Sequence, residues 1–253
     1  MKKIIFFVMV MCCAVLSSIP VSWAGAEKIV VAVDAEYPPY MYGNAKEAKG
    51  LYPKLISAVF SKMGVKAEIT ALPWKRALRS GEEGKVAIGG IYKNNERLEI
   101  YDYSDPIYEE SLAIFVNKGN TFKFEGMNDL KGKKVGINLG WSYGEEFDKA
   151  RKEKIFTTDE AQSNFLNLKK LTHKRVDCVV MDTLAASQII EKEKLGSDVE
   201  RLAKPATVNF AYLVIAKSQN KKKLLDEFNK TLAAMKTDGT YAKVVDDFIK
   251  GSD

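Results

Sequence analysis

The fold is decided by residues 28–40, which read Lys28-Ile29-Val30-Val31-Ala32-Val33-Asp34-Ala35-Glu36-Tyr37-Pro38-Pro39-Tyr40. The run 29–33 is apolar without alternation, which is typical of a strand buried on both faces, and a polar, proline-containing turn follows it. Residues 50–63 repeat an apolar residue every four positions, which predicts a helix that Gly64 ends. Residues 65–69 predict the next strand, so the chain opens with the strand–helix–strand order of a parallel α/β sheet.

The same alternation continues to the end of the chain. Short apolar runs predict further strands at residues 86–88, 112–116, 135–137, 176–181 and 211–215. Amphipathic segments predict helices at residues 74–79, from Tyr143, from about Asp159, and at residues 183–194, 222–235 and 241–249. The predicted fold class is therefore α/β with a parallel sheet.

Composition and charge fit a globular protein with a substantial core and exclude several functions. The 253 residues are 46% hydrophobic and 28% charged, which predicts one or two domains. The net charge of +6 falls to +4 without residues 1–24, which contain Lys2, Lys3 and no acid. Such a weak surplus argues against a nucleic-acid partner.

Residues 1–24 predict a cleaved signal peptide. A basic start, an apolar run over 4–16 and a polar end at Ser22-Trp23-Ala24 fit the pattern, with 24–26 as a second cleavage choice. An uncleaved membrane anchor is the alternative, but Pro20 and two serines interrupt the apolar run before it reaches a bilayer span. We therefore expect an exported protein that is released from the membrane.

Histidine and cysteine are too scarce for metal or disulfide chemistry. His173 is the one histidine in the sequence, and Cys178 is the one cysteine after the signal peptide. The single histidine excludes a metal site with two histidine ligands, and the single cysteine excludes an internal disulfide. The sequence predicts no metal and no cofactor.

Six motifs occur in one order along nearly the whole mature chain. They are Asp34-Ala35-Glu36-Tyr37-Pro38-Pro39-Tyr40, Gly84-Lys85-Val86-Ala87-Ile88-Gly89-Gly90, Glu96-Arg97 with Tyr103-Ser104-Asp105-Pro106, Leu130-Lys131-Gly132-Lys133-Lys134-Val135-Gly136 with Gly140-Trp141-Ser142, Arg175-Val176-Asp177-Cys178-Val179-Val180-Met181-Asp182, and Met235-Lys236-Thr237-Asp238-Gly239-Thr240-Tyr241. In this order the chain resembles the bacterial extracellular solute-binding proteins of family 3, the receptors of polar amino-acid ABC transporters.

The resemblance implies a two-lobe periplasmic-binding-protein fold of the Venus-flytrap type (type II), with two hinge strands and a ligand cleft between the lobes. Lobe 1 would comprise residues 27–108 and 211–253, and lobe 2 residues 109–210. A cleft site agrees with general physics, because ligands of open α/β sheets bind beyond the carboxyl ends of the strands.

Arg97 and Asp182 are the first candidates for ligand contacts. The resemblance implies that Arg97 clamps a ligand carboxylate, for which a planar guanidinium is well suited. The alternative is an exposed arginine paired with Glu96 or Glu99. Asp182 would face the ligand ammonium, which needs a counter-charge in a dry cleft. Its alternative role is the N-cap of a helix that begins at Thr183.

Ser142 begins the pattern Ser142-Tyr143-Gly144-Glu145, which predicts a capped helix N-terminus. Such a terminus either starts a helix only or, as the resemblance implies, also binds the ligand carboxylate. Trp141 replaces the Thr or Ser that the family often has, which would narrow the pocket.

The remaining candidates form the wall of the pocket. The aromatic rings could sandwich a ligand or simply pack in the core. Asp34 could contact a ligand amine or cap its own loop. Arg76 could contact an anion or lie on the surface. Gly90, like Gly89, stands where the family often has a hydroxyl. The aromatic candidates are Tyr37, Tyr40, Trp74 and Tyr92.

Three functions remain open. The first is a monomeric binding protein that captures an amino acid or a related polar zwitterion or carboxylate and delivers it to an inner-membrane ABC permease. The second is an enzyme on the same fold, because the resemblance includes cyclohexadienyl dehydratases. The third is a ligand-sensing partner of a membrane receptor. Since fold does not decide function, the site has to discriminate among them.

Overall fold

A computed structural model describes residues 28–251. The predicted signal peptide lies outside these residues. The strands are β1 (Lys28–Asp34), β2 (Glu36–Tyr37), β3 (Met41–Gly43), β4 (Ala48–Lys49), β5 (Lys66–Leu72), β6 (Ala87–Ile91), β7 (Tyr101–Tyr103), β8 (Tyr108–Asn117), β9 (Lys134–Asn138), β10 (Thr157–Ala161), β11 (Cys178–Asp182), β12 (Val199–Arg201) and β13 (Thr207–Ala216). The α-helices are α1 (Leu51–Lys62), α2 (Trp74–Glu82), α3 (Asn95–Ile100), α4 (Glu145–Lys152), α5 (Asn164–Thr172), α6 (Thr183–Lys192), α7 (Lys222–Thr237) and α8 (Thr240–Ile249).

The strands pair in the order β10-β9-β11-β8-β13-β6-β1-β5. At one end, β1 runs parallel to β5 and β6, and α1 and α2 pack there. At the other end, β9 runs parallel to β10 and β11, against α5 and α6. We call the first group lobe 1 and the second lobe 2.

The two long strands β8 and β13 join the lobes. They pair antiparallel with each other, β13 pairs antiparallel with β6, and β11 pairs antiparallel with β8. The parallel pairing expected from the apolar strands is therefore found at both ends of the sheet, whereas the centre is antiparallel. The reason is that the chain leaves lobe 1 along β8 and returns along β13, so the connecting strands run in opposite directions.

Two predicted helix starts in lobe 2 were also wrong. The helix predicted from Tyr143 begins at Glu145, because Gly144 has φ 97° and breaks the helical backbone before it. The segment from about Asp159 is strand β10, which pairs parallel with β9, and the helix follows at Asn164 with Ser163 as its N-cap. Pairing with a neighbouring strand overrides the weak helical pattern there.

Burial follows the apolar runs. α1 buries Leu51, Leu55 and Val59, and Phe60 packs against Phe228 of α7 with ring centroids 5.1 Å apart. Cys178 is a free, buried thiol in β11. Of the helices in the described part of the chain, none is long and apolar enough to span a membrane.

Candidate functional site

A small cavity lies where loops at the strand ends of the two lobes meet. Its volume is about 10 Å³, close to the room that a single water needs. The residues that line it are Tyr37, Met41, Trp74, Gly90, Tyr92, Arg97, Trp141 and Ser142. Seven of the eleven predicted site residues therefore come together here, from five separate segments of the sequence.

Arg97 is buried rather than exposed. It is the third residue of the short helix α3, whose N-cap Asn94 accepts a hydrogen bond from the Arg97 amide at 2.8 Å. Its side chain is 9% exposed, and Nη1 donates to the Tyr92 carbonyl at 3.0 Å. Burial lowers the pKa of the guanidinium. Within residues 28–251, no carboxylate forms a salt bridge with Arg97, so its charge is buried without an ion-pair partner.

Asp182 lies at the carboxyl end of β11 and is 2% exposed. Its Oδ1 accepts the Leu184 and Ala185 amides at 2.8 and 3.0 Å, so it is the N-cap of α6. The same oxygen accepts the Tyr40 hydroxyl of lobe 1 at 2.9 Å. Burial raises the pKa of the carboxyl. The capping role and a position facing the opposite lobe therefore coexist.

Asp34 and Trp141 make a second contact between the lobes. Asp34, at the end of β1, is 3% exposed, and it accepts the Trp141 indole N–H at 2.9 Å and the Glu36 amide at 3.0 Å. The amide contact is the loop-capping role that the sequence left open beside a ligand contact. Burial raises the pKa of Asp34 to about 6. The carboxyl is thus held by neutral donors from both lobes.

Ser142 lines the cavity, but it does not cap a helix. Gly144 is the N-cap residue of α4, and the Ser142 hydroxyl instead donates to the Asp148 carboxylate. Asp148 also accepts the Tyr143 amide at 3.2 Å. The prediction of a capping box at Ser142 was therefore wrong, because the positive φ of Gly144 delays the helix by two residues.

The aromatic candidates fall into two groups. Trp74, Tyr92 and Tyr37 line the cavity, whereas Tyr40 lies behind it, stacked on Tyr52 with ring centroids 5.3 Å apart. Arg76 is exposed on α2 and does not line the cavity. An anion contact for Arg76 therefore finds no support in the geometry.

Glu110 is a residue that the sequence interpretation missed. It lies in β8, is 1% exposed, and accepts hydrogen bonds from the hydroxyls of Tyr37 and Tyr52. Burial, and next the nearby charge of Asp182, raise the pKa of Glu110 to about 7. One signal was available: Glu110 is in step with Leu112 and Ile114 on one face of a strand. An acid at a buried strand position needs partners, and tyrosines supply them.

Polar contacts at the rim also cross the cleft. Lys152 of α4 pairs with Glu96 of α3 at 2.5 Å, and the Asn95 amide donates to Glu145 at 2.9 Å. These side chains are exposed, so each contact contributes little stability. They show that α3 and α4 face each other across the cleft.

The comparison with known proteins decides the family. The model of the bacterial extracellular solute-binding proteins, family 3, matches residues 29–251. The chain belongs to this family. Its sheet and helices form the two-lobe α/β fold of periplasmic binding proteins, as the resemblance implied.

Comparison with individual proteins shows how similar this chain is to them in sequence and in structure. The chain is 30% identical to the ABC transporter arginine-binding protein 1 of Escherichia coli K12 over 97% of this chain and 98% of the relative. It is similar in structure to an ancestral arginine-binding protein bound to arginine, with TM-score 0.73 and 27% identity over 87% of this chain and 97% of that one. It is also similar to AncCDT-1, an ancestral amino acid-binding protein described as a precursor of cyclohexadienyl dehydratase, with TM-score 0.70 and 25% identity over 87% and 95%.

Proposed function

We propose that the protein binds an amino acid, or a related small polar zwitterion or carboxylate, between its lobes. The observation that supports this most is the buried guanidinium of Arg97, which lines the interlobe cavity and lacks a carboxylate partner within the described chain. A buried charge is costly unless it is paired, and a bidentate carboxylate is the natural partner of a guanidinium. The ligand would supply that carboxylate.

The ammonium end of the ligand would face Asp182. This carboxyl is buried on lobe 2, and its contact from lobe 1 is the neutral hydroxyl of Tyr40. Displacing that hydroxyl by an ammonium would give Asp182 a charged partner. Contacts from both lobes to one ligand favour the closed form, because they exist together only when the cleft is shut.

We further propose the division into lobe 1 at residues 27–108 and 211–253 and lobe 2 at 109–210, because β8 and β13 connect the two strand groups at these positions. The monomer would act in the periplasm and deliver its ligand to an inner-membrane ABC permease. The arginine-binding relative is an ABC transporter protein, which supports this role.

Binding measurements on paired arginine variants test the proposal. The standard L-amino acids are screened by thermal shift, and those that bind are titrated by calorimetry into wild type, Arg97→Ala and Arg76→Ala. Loss of a buried charge partner costs roughly 2–5 kcal/mol, so Arg97→Ala should weaken binding about 30-fold or more. Arg76→Ala changes an exposed arginine nearby and serves as the matched control. Equal affinities for wild type and Arg97→Ala would reject the carboxylate clamp.

An enzyme on the same fold is the second candidate. Asp34 and Glu110 have raised pKa values of about 6 and about 7, in the range that suits general acids and bases. Like Asp182, neither carboxyl lines the cavity; the hydrogen bonds that both accept from the protein's own donors favour binding over chemistry. Incubation with prephenate or arogenate distinguishes the two functions, because a dehydratase would release phenylpyruvate or phenylalanine.

A further inference from the structure

Trp74 lines the interlobe cavity and carries an unpaired hydrogen-bond donor. The residue begins α2 directly after Pro73 and is 8% exposed, with its ring among the cavity lining. Its indole Nε1 is buried and has no hydrogen-bond partner. An indole nitrogen is a donor only, and buried donors in proteins are almost always paired. The Tyr92 hydroxyl of the cavity lining is also unpaired, but it can accept as well as donate, whereas the Trp74 N–H can be satisfied by an acceptor only.

The other indole of the cavity shows the contrast. Trp141 also lines the cavity, but its N–H is donated to Asp34 at 2.9 Å. The two tryptophans face the same space, one with a protein acceptor and one without. Ring packing alone therefore does not account for the position of the Trp74 N–H.

The unpaired donor lies beside Arg97. The guanidinium carbon of Arg97 is 6.0 Å from the centroid of the Trp74 ring, and both side chains line the same cavity. A planar carboxylate has two oxygens and accepts several hydrogen bonds at once. One carboxylate held by Arg97 could therefore also accept the Trp74 N–H.

The neighbouring strand cannot supply this donor from a side chain. Gly90 has φ 78°, and a Cβ there would lie 2.6 Å from Tyr52 Cδ2 and 2.7 Å from Met41 Sδ. A Cβ at Gly89 would lie 2.5 Å from Ile56 Cδ1. A side chain at either position would therefore have to displace these neighbouring side chains. The Trp74 N–H, by contrast, is already in place and has no partner.

We propose that the Trp74 indole N–H donates to the same ligand carboxylate that Arg97 holds, which makes Trp74 a specificity-determining residue. The inference rests on the amino-acid binding proposed above. It assigns the ligand class more narrowly: a free carboxylate with both oxygens available is preferred, and the corresponding carboxamide binds more weakly. A hydrogen bond to a charged acceptor of this kind corresponds to about a tenfold or greater change in affinity.

Trp74→Phe is the decisive variant, because it retains an aromatic ring and removes the N–H. Wild type and variant are titrated with the standard L-amino acid that binds wild type best and with its carboxamide. The proposal predicts that Trp74→Phe binds the acid at least about tenfold more weakly, while its affinity for the carboxamide changes much less. Binding of the acid with unchanged or tighter affinity would overturn it, because removing a donor that the ligand does not use relieves an unpaired group. An equal loss for acid and carboxamide would overturn it as well.

A second measurement keeps the inference testable if Trp74→Phe folds poorly. In ¹⁵N-labelled wild type, hydrogen exchange of the Trp74 indole should slow markedly when the amino acid is added. Unchanged exchange at Trp74 on saturation would contradict the proposal. If no amino acid binds wild type, the proposed function itself fails, and that outcome is visible without any variant.

Discussion

Replacing Glu110 by glutamine should remove a specific pH dependence of stability. The carboxyl is 1% exposed in β8, and burial together with the charge of Asp182 raises its pKa from 4.5 to about 7. An acid with a raised pKa in the folded state binds its proton more tightly there than in the unfolded chain. Its contribution to stability is therefore fully present below about pH 4.5 and is lost as the pH rises through about 7.

The size of the effect follows from the two pKa values. Each tenfold change in proton affinity corresponds to ~1.4 kcal/mol. As the pH rises across this range, the free energy of unfolding of wild type should therefore fall by about 3 kcal/mol relative to that of Glu110→Gln. The comparison is made between the two proteins at each pH, because other acids titrate in both. Urea denaturation followed by circular dichroism, in steps from about pH 4 to about pH 8, measures the difference.

The matched control is Glu109→Gln, which neutralises the neighbouring acid of the same strand on its exposed face. The difference in the free energy of unfolding between wild type and Glu109→Gln should show no comparable fall over the same pH range. A difference between wild type and Glu110→Gln that stays constant with pH would refute the reasoning. The tyrosine hydroxyls would then hold Glu110 ionised throughout.

Three further predictions follow from packing and hydrogen bonding. Gly90→Ala should lower the free energy of unfolding by about 1–3 kcal/mol more than Gly64→Ala. Both glycines have positive φ, but of the two only Gly90 would bring a new Cβ into contact with other atoms. Equal losses of stability in the two variants would contradict this prediction. Trp141→Phe should lower the free energy of unfolding of wild type by about 1–3 kcal/mol, because it strands the buried Asp34 carboxyl, and should lower it by less in an Asp34→Ala background, which has no acceptor there. Urea titrations detect the difference, and additive losses would exclude the bond. Cys178 should react slowly with iodoacetamide in native buffer and fast in urea, because burial raises the pKa of its thiol to about 12; fast native labelling would refute the burial.

Much of the fold could be predicted from the sequence because its strands are nearly continuous apolar runs. β1 and β11 are of this kind, and each ends at a polar residue of the site, Asp34 or Asp182. β10 was mistaken for a helix because its sequence, Thr157–Ala161, is polar and becomes a strand only through pairing with β9.

The residues of the candidate site could be predicted where they lie in a sequence motif. Arg97 and Ser142 reach the cavity as motif positions implied, although the backbone of Gly144 gives Ser142 a different partner. Glu110 was missed, because its role depends on tyrosines 58 and 73 residues away in sequence. The unpaired N–H of Trp74 could not be predicted either, since it is defined by the absence of a neighbouring acceptor in three dimensions.

The central claim is that one zwitterionic ligand fits between Arg97 and Asp182. Native mass spectrometry of mature protein, purified from the periplasm without denaturation and also incubated with the standard L-amino acids, tests it most directly. The account predicts a complex with one amino-acid-sized ligand per chain, absent or strongly reduced in Arg97→Ala and in Asp182→Asn. A wild-type spectrum without any such complex under all of these incubations, or one in which both variants retain the ligand like wild type, would contradict it.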